Sequence, residues 1–151
     1  MHTLTTTRTI PAPIDDVFEA YIDHEKFSQV PLVRSCELTR RGDTEKNGLG
    51  AVRELDCGPF QFREEITGFD RPHRMEYRIR ESRPSLEHTF GRVDLAEVPG
   101  GTLVIWTTVF GVRVPVVGKL VDPVFGIALE IAFGLILCNV EKRAIASAKR
   151  R

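Results

Sequence analysis

An uninterrupted helical pattern at the C-terminal end is the feature that most constrains the fold of this chain. From Val116 to about Lys149 the residues follow one long helical pattern, whereas the middle of the sequence reads as a series of short strands. A curved antiparallel sheet must bury its apolar face, and this helix is the largest element that could cover it. The sequence therefore predicts an α+β fold in which a sheet packs against a long C-terminal helix.

Turn-forming residues separate the predicted elements that precede this helix. Thr3–Ile10 is rich in threonine and predicts a first strand, and Pro13 can occupy the first position of a short helix that ends near Asp23. A second short helix is predicted at His24–Val30, where Pro31 closes it. Glycine and proline pairs separate the six strands predicted next. These strands are Leu32–Arg40, Ala51–Cys57, Phe60–Phe69, Met75–Arg80, Glu87–Glu97 and Thr102–Val112.

Length and charge narrow the class of protein. The 151 residues fit one domain spanning 1–151, and a hydrophobic content of 42% suffices for a core without disulfides or metal. The 21 basic and 21 acidic side chains balance, which argues against a nucleic-acid-binding protein. Cys36, Cys57 and Cys138 show no disulfide or metal-ligand spacing, so we expect free thiols and a cytoplasmic location.

Several short motifs recur in an order that resembles the START-related polyketide cyclase/dehydrase-like superfamily (SRPBCC), whose fold is called helix-grip. The motifs are Ile10-Pro11-Ala12-Pro13 leading into Val17-Phe18, Glu65-Ile66 through Phe69-Asp70, Arg71-Pro72, Gly100-Gly101-Thr102, and Glu141 near the end of the terminal helix. The resemblance implies a curved seven-stranded antiparallel sheet around the C-terminal helix, with two short helices between strands 1 and 2. It also implies an apolar cavity and the binding of a small molecule or lipid. The sequence has no phosphate loop and no dinucleotide fingerprint, so no cofactor is expected.

Aromatic and aliphatic side chains supply the candidate contacts in such a cavity, because small-molecule pockets are mostly apolar. From the first half of the fold the candidates are Phe27, Phe60, Phe62, Tyr77, Phe90, Trp106 and Phe110. On the terminal helix, we predict that the side opposite Glu130 and Glu141 is the face that covers the sheet. That face carries Val124, Ala128, Ile131 and Leu135.

Strand alternation also predicts ionisable groups that share the inner face. If Phe62, Val52 and Phe90 point inward, then Glu64, Glu54 and His88 do as well, respectively. Desolvation would suit such groups to proton transfer. The opposite register would instead place the glutamates on the wet face, paired with Arg53, Arg63 or Arg92. The four histidines are too scattered to suggest a metal site.

The terminal helix carries a second apolar surface on its polar side and flank, formed by Leu129, Phe133, Ile136 and Leu137. A helix that is apolar all round is buried on more than one side. We therefore predict that this surface is covered by an adjacent element, by a second chain in a homodimer, or by a membrane surface.

Three functions fit these patterns. The first is binding of a small hydrophobic, lipid-like or polycyclic ligand. The second is an enzyme of the cyclase/dehydrase type, acting without metal through a pocket acid–base pair. The third is an interaction protein that works through the terminal helix at a membrane or partner. A pocket lined by apolar groups favours the first, and a glutamate or histidine with matched geometry favours the second.

Overall fold

Seven antiparallel strands form one sheet in the computed structural model, which describes residues 1–112 and 118–151. The strands are β1 (His2–Ile10), β2 (Ser35–Arg40), β3 (Val52–Cys57), β4 (Phe60–Asp70), β5 (Arg74–Arg83), β6 (Leu86–Val98) and β7 (Gly101–Val112). Three helical segments accompany them: α1 (Ile14–Ile22), a 3₁₀ helix (His24–Gln29) and α2 (Gly118–Lys149). The predicted start of the last helix at Val116 lies outside the described residues.

The strands are ordered β1-β7-β6-β5-β4-β3-β2 across the sheet. Consecutive strands from β2 to β7 are neighbours, and β1 closes against β7, so α1 and the 3₁₀ helix carry the chain from one edge of the sheet to the other. Tight turns at Gly58 and Gly100 permit two of the reversals, with φ angles of 80° and 87° that glycine adopts without a Cβ clash. The predicted helix-grip architecture is confirmed.

The core lies under α1 and the C-terminal half of α2. Val17 and Phe18 of α1 and Val140 and Ala144 of α2 are fully buried between the helices and the sheet. A polar contact also joins the sheet to α2 at this end, where Arg8 on β1 donates a 2.7 Å hydrogen bond to Glu141. This half of the molecule is a filled core, and any internal space must lie under the N-terminal half of α2.

The face of α2 that points toward the sheet differs from the predicted one. Val124 and Ile131 are 66% and 55% exposed, Ala128 is exposed, and Leu135 is half-buried. The buried side carries Phe125, Phe133, Ile136, Leu137 and Val140 instead. The prediction was wrong because Glu130 is the sole charged residue between positions 124 and 140, so the apolar pattern did not single out one face.

The second apolar surface predicted on α2 is covered by adjacent elements of the same chain, which is one of the three predicted alternatives. Phe133, Ile136 and Leu137 are at most 7% exposed, and Leu129 packs partly buried against the core. Trp106 of β7, for example, stacks on Phe133. By length and composition Pro123–Lys149 could span a membrane, a test that the core helix of a soluble protein also passes.

Candidate ligand-binding cavity

A cavity of about 260 Å³ lies between the concave face of the sheet and the N-terminal half of α2. Strands β3 to β7 contribute its floor, α2 its roof, and the end of the 3₁₀ helix with the following loop one wall. Seven of the predicted contact residues line it: Phe27, Phe60, Phe62, Tyr77, Trp106, Phe110 and Ala128. The enclosed surface is almost entirely apolar, which is the character expected of a small-molecule site.

Four predicted contact residues lie elsewhere, for two different reasons. Val124, Ile131 and Leu135 are absent from the lining because α2 presents its other side. Phe90 is on the outer face of the sheet, where the Arg92 guanidinium stands 5.3 Å from the centre of its ring. A register shift of β6 against β7 between His88 and Phe90 breaks the alternation on which that prediction rested.

Sequence reasoning missed most of the roof residues and several floor residues, among them Arg53, Leu55 and Cys57. Phe133 stacks on Trp106 with ring centres 3.7 Å apart and planes 7° from parallel, and Leu129, Ala132 and Ile136 flank it. This stack joins α2 to β7 directly across the cavity. The sequence does contain the signal, because Phe133 is a large aromatic residue on the helix. Glu130 is the single charge on this apolar stretch, however, and it favoured the face opposite to Phe133.

Tyr77 on β5 is held flat along one side of the cavity. Its oxygen accepts a 2.9 Å hydrogen bond from the indole nitrogen of Trp106, and a Cβ added to Gly91 on β6 would lie 2.2 Å from its Cζ atom. The ring therefore occupies the space that any side chain at position 91 would need. Burial raises the pKa of Tyr77 well above the usual value, so the phenol keeps its proton.

Glu64 lines the cavity as predicted, but it does so paired with a buried arginine. Arg53 and Glu64 are opposite each other on β3 and β4, and the Arg53 Nε atom donates a 2.9 Å hydrogen bond to the carboxylate. Their side chains are 3% and 8% exposed. Burial is the largest single influence and lowers the pKa of Arg53, but Glu64 together with Tyr21, Cys36 and Tyr77 raises the pKa of the guanidinium above its usual value.

Glu54 does not join this pair, and its predicted place in the cavity is wrong. It is exposed on the outer face of β3, whereas Arg53, Leu55 and Cys57 are the residues of that strand that line the cavity. The inference started from Val52, which is buried even though it lies on the opposite face from Arg53. Burial at a strand end therefore misled the alternation argument.

His88 lines the cavity with both ring nitrogens engaged. Nδ1 accepts a 3.0 Å hydrogen bond from the backbone N–H of Ile79, and Nε2 lies 2.9 Å from the Thr108 hydroxyl. An Nδ1 acceptor requires the proton on Nε2, so the ring is neutral and donates to Thr108. Burial, helped by the charge of Arg78, lowers the pKa of His88 to about 4.

Metal and thiol chemistry have little support at this site. Within residues 1–112 and 118–151, no group of three histidine, cysteine or acidic side chains could hold a metal ion. The three cysteines are free, and burial raises the pKa of Cys57, which lines the cavity, to about 11. Cys57 is therefore a neutral thiol near pH 7 rather than a nucleophilic thiolate.

The sequence pattern of one protein family, described as polyketide cyclase/dehydrase and lipid transport, matches residues 1–144. The chain belongs to that family. No curated protein sequence matches the chain. The family description names both catalysis and lipid transport, so membership alone does not decide between the two.

Solved structures of START and SRPBCC proteins share this family's fold. A Thermus thermophilus protein called TTHA0849 aligns with a TM-score of 0.79 at 20% identity, covering 97% of this chain and 99% of its own. A START superfamily protein from Mycobacterium smegmatis gives 0.74 at 18% identity, over 94% and 99% of the two chains. The Zhui aromatase/cyclase from a Streptomyces species gives 0.72 at 18% identity, over 95% and 93%.

Acidification is expected to destabilise this polyketide cyclase/dehydrase family member partly through His88. Unfolded histidine binds its proton near pH 6.5, whereas His88 in the folded chain does so near pH 4, so its contribution is complete above pH 6.5 and is lost as the pH falls toward 4. The difference between pH 6.5 and pH 4 corresponds to about 3 kcal/mol. Urea unfolding from pH 7 to 4 should show a shallower loss in His88→Gln than in the parent.

The comparison of the two proteins isolates His88 from the other groups that titrate in this range. Buried His24, whose pKa is also lowered by burial, and the carboxylates contribute equally to the parent and the variant. Parallel stability curves for both proteins between pH 4 and 6.5 would contradict the prediction.

Proposed function

We propose that the protein binds a small, largely hydrophobic molecule in the cavity between the sheet and α2. The observation that carries the proposal is an internal space walled by aromatic and aliphatic side chains, in a chain that otherwise packs a filled core around Val17, Phe18 and Val140. Interiors normally close such space, because unfilled apolar volume lowers stability. An apolar ligand would restore the missing contacts.

The polar groups of the cavity favour binding over proton transfer. Glu64 is engaged by Arg53, and both ring nitrogens of His88 have partners in the protein. A general base needs a lone pair within reach of the substrate proton. His88 offers no such lone pair, because its Nδ1 lone pair already accepts a hydrogen bond from the Ile79 N–H.

A cyclase or dehydrase activity is the second candidate. The family description includes it, and Glu64 lies inside the cavity, where a carboxylate could serve as an acid or base once a substrate displaced Arg53. This function requires turnover to be lost in Glu64→Gln while ligand binding is retained. The binding function requires no turnover at all.

Filling the cavity is the test of the binding function. Ala132 is a half-buried residue of α2 that faces the cavity, so Ala132→Trp should occupy the space and weaken binding of the uncharged probe N-phenyl-1-naphthylamine at least tenfold. Fluorescence titration of the probe measures this effect, and circular dichroism establishes that the variant is folded.

Glu130→Trp is the matched control. It places the same indole two residues away on the same helix, at an exposed position outside the lining, and should leave probe affinity unchanged. Equal probe affinity in folded Ala132→Trp and in the parent would contradict the proposed site.

A further inference from the structure

The opening of the cavity is bordered by apolar side chains. Among the lining residues that the structure describes, those exposed to solvent mark the place where the cavity opens. They come from the loop after the 3₁₀ helix, the β3–β4 turn and α2, and they are Pro31, Leu32, Pro59 and Ala128. Since none of these residues is charged or polar, a hydrophobic molecule that enters here meets no side chain that must first lose its water.

One face of α2 extends this apolar opening. Val124, Ile127 and Ile131 follow one another at helical spacing, so they share the face on which Ala128 lies. Ile127 is 60% exposed, and Leu32 at the opening is 67% exposed. A contiguous exposed patch of this kind marks a contact surface, whereas scattered exposed aliphatic residues do not. This entrance surface consists of Pro31, Leu32, Pro59, Val124, Ile127, Ala128 and Ile131.

The charges beside the entrance surface do not select a charged partner. Arg34 is exposed next to the β3–β4 turn, where its guanidinium carbon lies 3.7 Å from the position that a Cβ of Gly58 would occupy. Glu130, of opposite sign, is exposed next to Ile131 on α2. A partner of one sign would therefore meet repulsion as well as attraction at this surface. The apolar side chains must provide most of the contact energy.

The position of the opening decides between a protein partner and a lipid bilayer. A second copy of this chain, or any other protein, would cover the opening when seated on this surface. A bilayer would instead present its hydrocarbon at the opening, and a hydrophobic ligand partitions from water into that hydrocarbon. Ala128 belongs both to the cavity lining and to the exposed face of α2, so the two apolar surfaces are continuous. A ligand can then pass between bilayer and cavity without crossing water.

We propose that the entrance surface docks on the surface of a lipid bilayer, with the opening of the cavity toward the lipid. The inference rests on the proposed binding function and adds to it the route by which the ligand is exchanged. Leu32, Ile127 and Ile131 reach the boundary between headgroups and acyl chains, as the apolar faces of interfacial helices do. Phe133 and Val140, on the other side of α2, are buried in the fold. Docking is therefore peripheral and does not require α2 to cross the bilayer.

Flotation with phosphatidylcholine vesicles measures the docking. We expect the parent protein to float with the vesicles, and we expect Ile127→Ser with Ile131→Ser to lower its partition coefficient by about tenfold or more, because two apolar side chains lose their burial. Both residues are exposed and lie outside the cavity lining. Circular dichroism should therefore show a folded variant, and N-phenyl-1-naphthylamine should bind to it in solution with unchanged affinity.

Leu49→Ser is the matched control. Leu49 is exposed on the loop that precedes β3, at the end of that strand opposite the β3–β4 turn, so its replacement should leave the partition coefficient unchanged. Tryptophan at the same positions reports contact with lipid. Brominated phosphatidylcholine should quench the added fluorescence of Ile127→Trp and leave that of Leu49→Trp unchanged.

The outcomes separate docking from ligand binding. If the parent binds the probe in solution but does not float, docking is overturned and the binding function stands. If flotation survives in the double variant, or falls equally in Leu49→Ser, the assignment to the entrance surface is overturned. Sedimentation without vesicles tests the second copy: a parent dimer that the double variant dissociates would replace the bilayer as the occupant. Flotation of a parent that binds no probe would contradict the binding function and leave docking in place.

Discussion

Replacing Arg53 by methionine is expected to lower the free energy of unfolding by about 3–5 kcal/mol. The substitution keeps most of the side-chain volume, but it leaves the Glu64 carboxylate at 8% exposure without the 2.9 Å hydrogen bond that now compensates its burial. A buried charge that loses its partner is among the costliest single changes in a protein interior. Urea denaturation at pH 7 measures the loss.

Adding Glu64→Leu to Arg53→Met is the control for this prediction. The second change removes the stranded carboxylate, and an apolar pair of similar volume is often as stable as the ion pair that it replaces. We therefore expect the double variant to regain most of the lost stability. If the double variant is no more stable than Arg53→Met alone, loss of packing rather than an uncompensated charge explains the effect.

Truncating Phe133 to alanine is expected to lower the free energy of unfolding by a similarly large amount, about 3–5 kcal/mol. Phe133 is 7% exposed and stacks on Trp106 at 3.7 Å, so its removal enlarges the cavity and separates α2 from β7. Thermal or urea unfolding, followed by circular dichroism, measures the change.

Ile131→Ala is the matched control on the same helix. Ile131 is 55% exposed, so we expect its truncation to change stability by no more than about 0.5 kcal/mol. The pair of variants tests the rotation of α2 directly, because the sequence pattern placed Ile131 inward and Phe133 outward. A larger effect at Ile131 than at Phe133 would contradict the orientation of α2 in the structure.

The order of the elements was predictable because their boundaries have local causes. Proline and glycine stand at most of the turns, and the predicted strands Ala51–Cys57 and Thr102–Val112 end at the same residues as β3 and β7. Tyr77, which the sequence predicts as a cavity contact, does line the cavity, and so does Ile79 two residues along the same strand.

The candidate site was predictable only in part, because its geometry depends on contacts distant in sequence. The pairing of Arg53 with Glu64 follows from the register of β3 against β4, which alternation within a single strand does not determine. The outward turn of Phe90 follows from a register shift between β6 and β7. On α2, the choice of face follows from the fit of Phe133 onto Trp106, a property of two surfaces rather than of one helix.

Gly91 influences the volume of the cavity although it contributes no side chain to the lining. The Tyr77 ring packs against the neighbouring strand at Gly91, because glycine has no side chain there. The ring therefore lies along the sheet instead of projecting toward α2. A larger residue at position 91 would displace the ring, which could then occupy part of the cavity. Relatives of this chain that differ at this one position would then share its fold and differ in the volume of the cavity, with the identity of every lining residue unchanged.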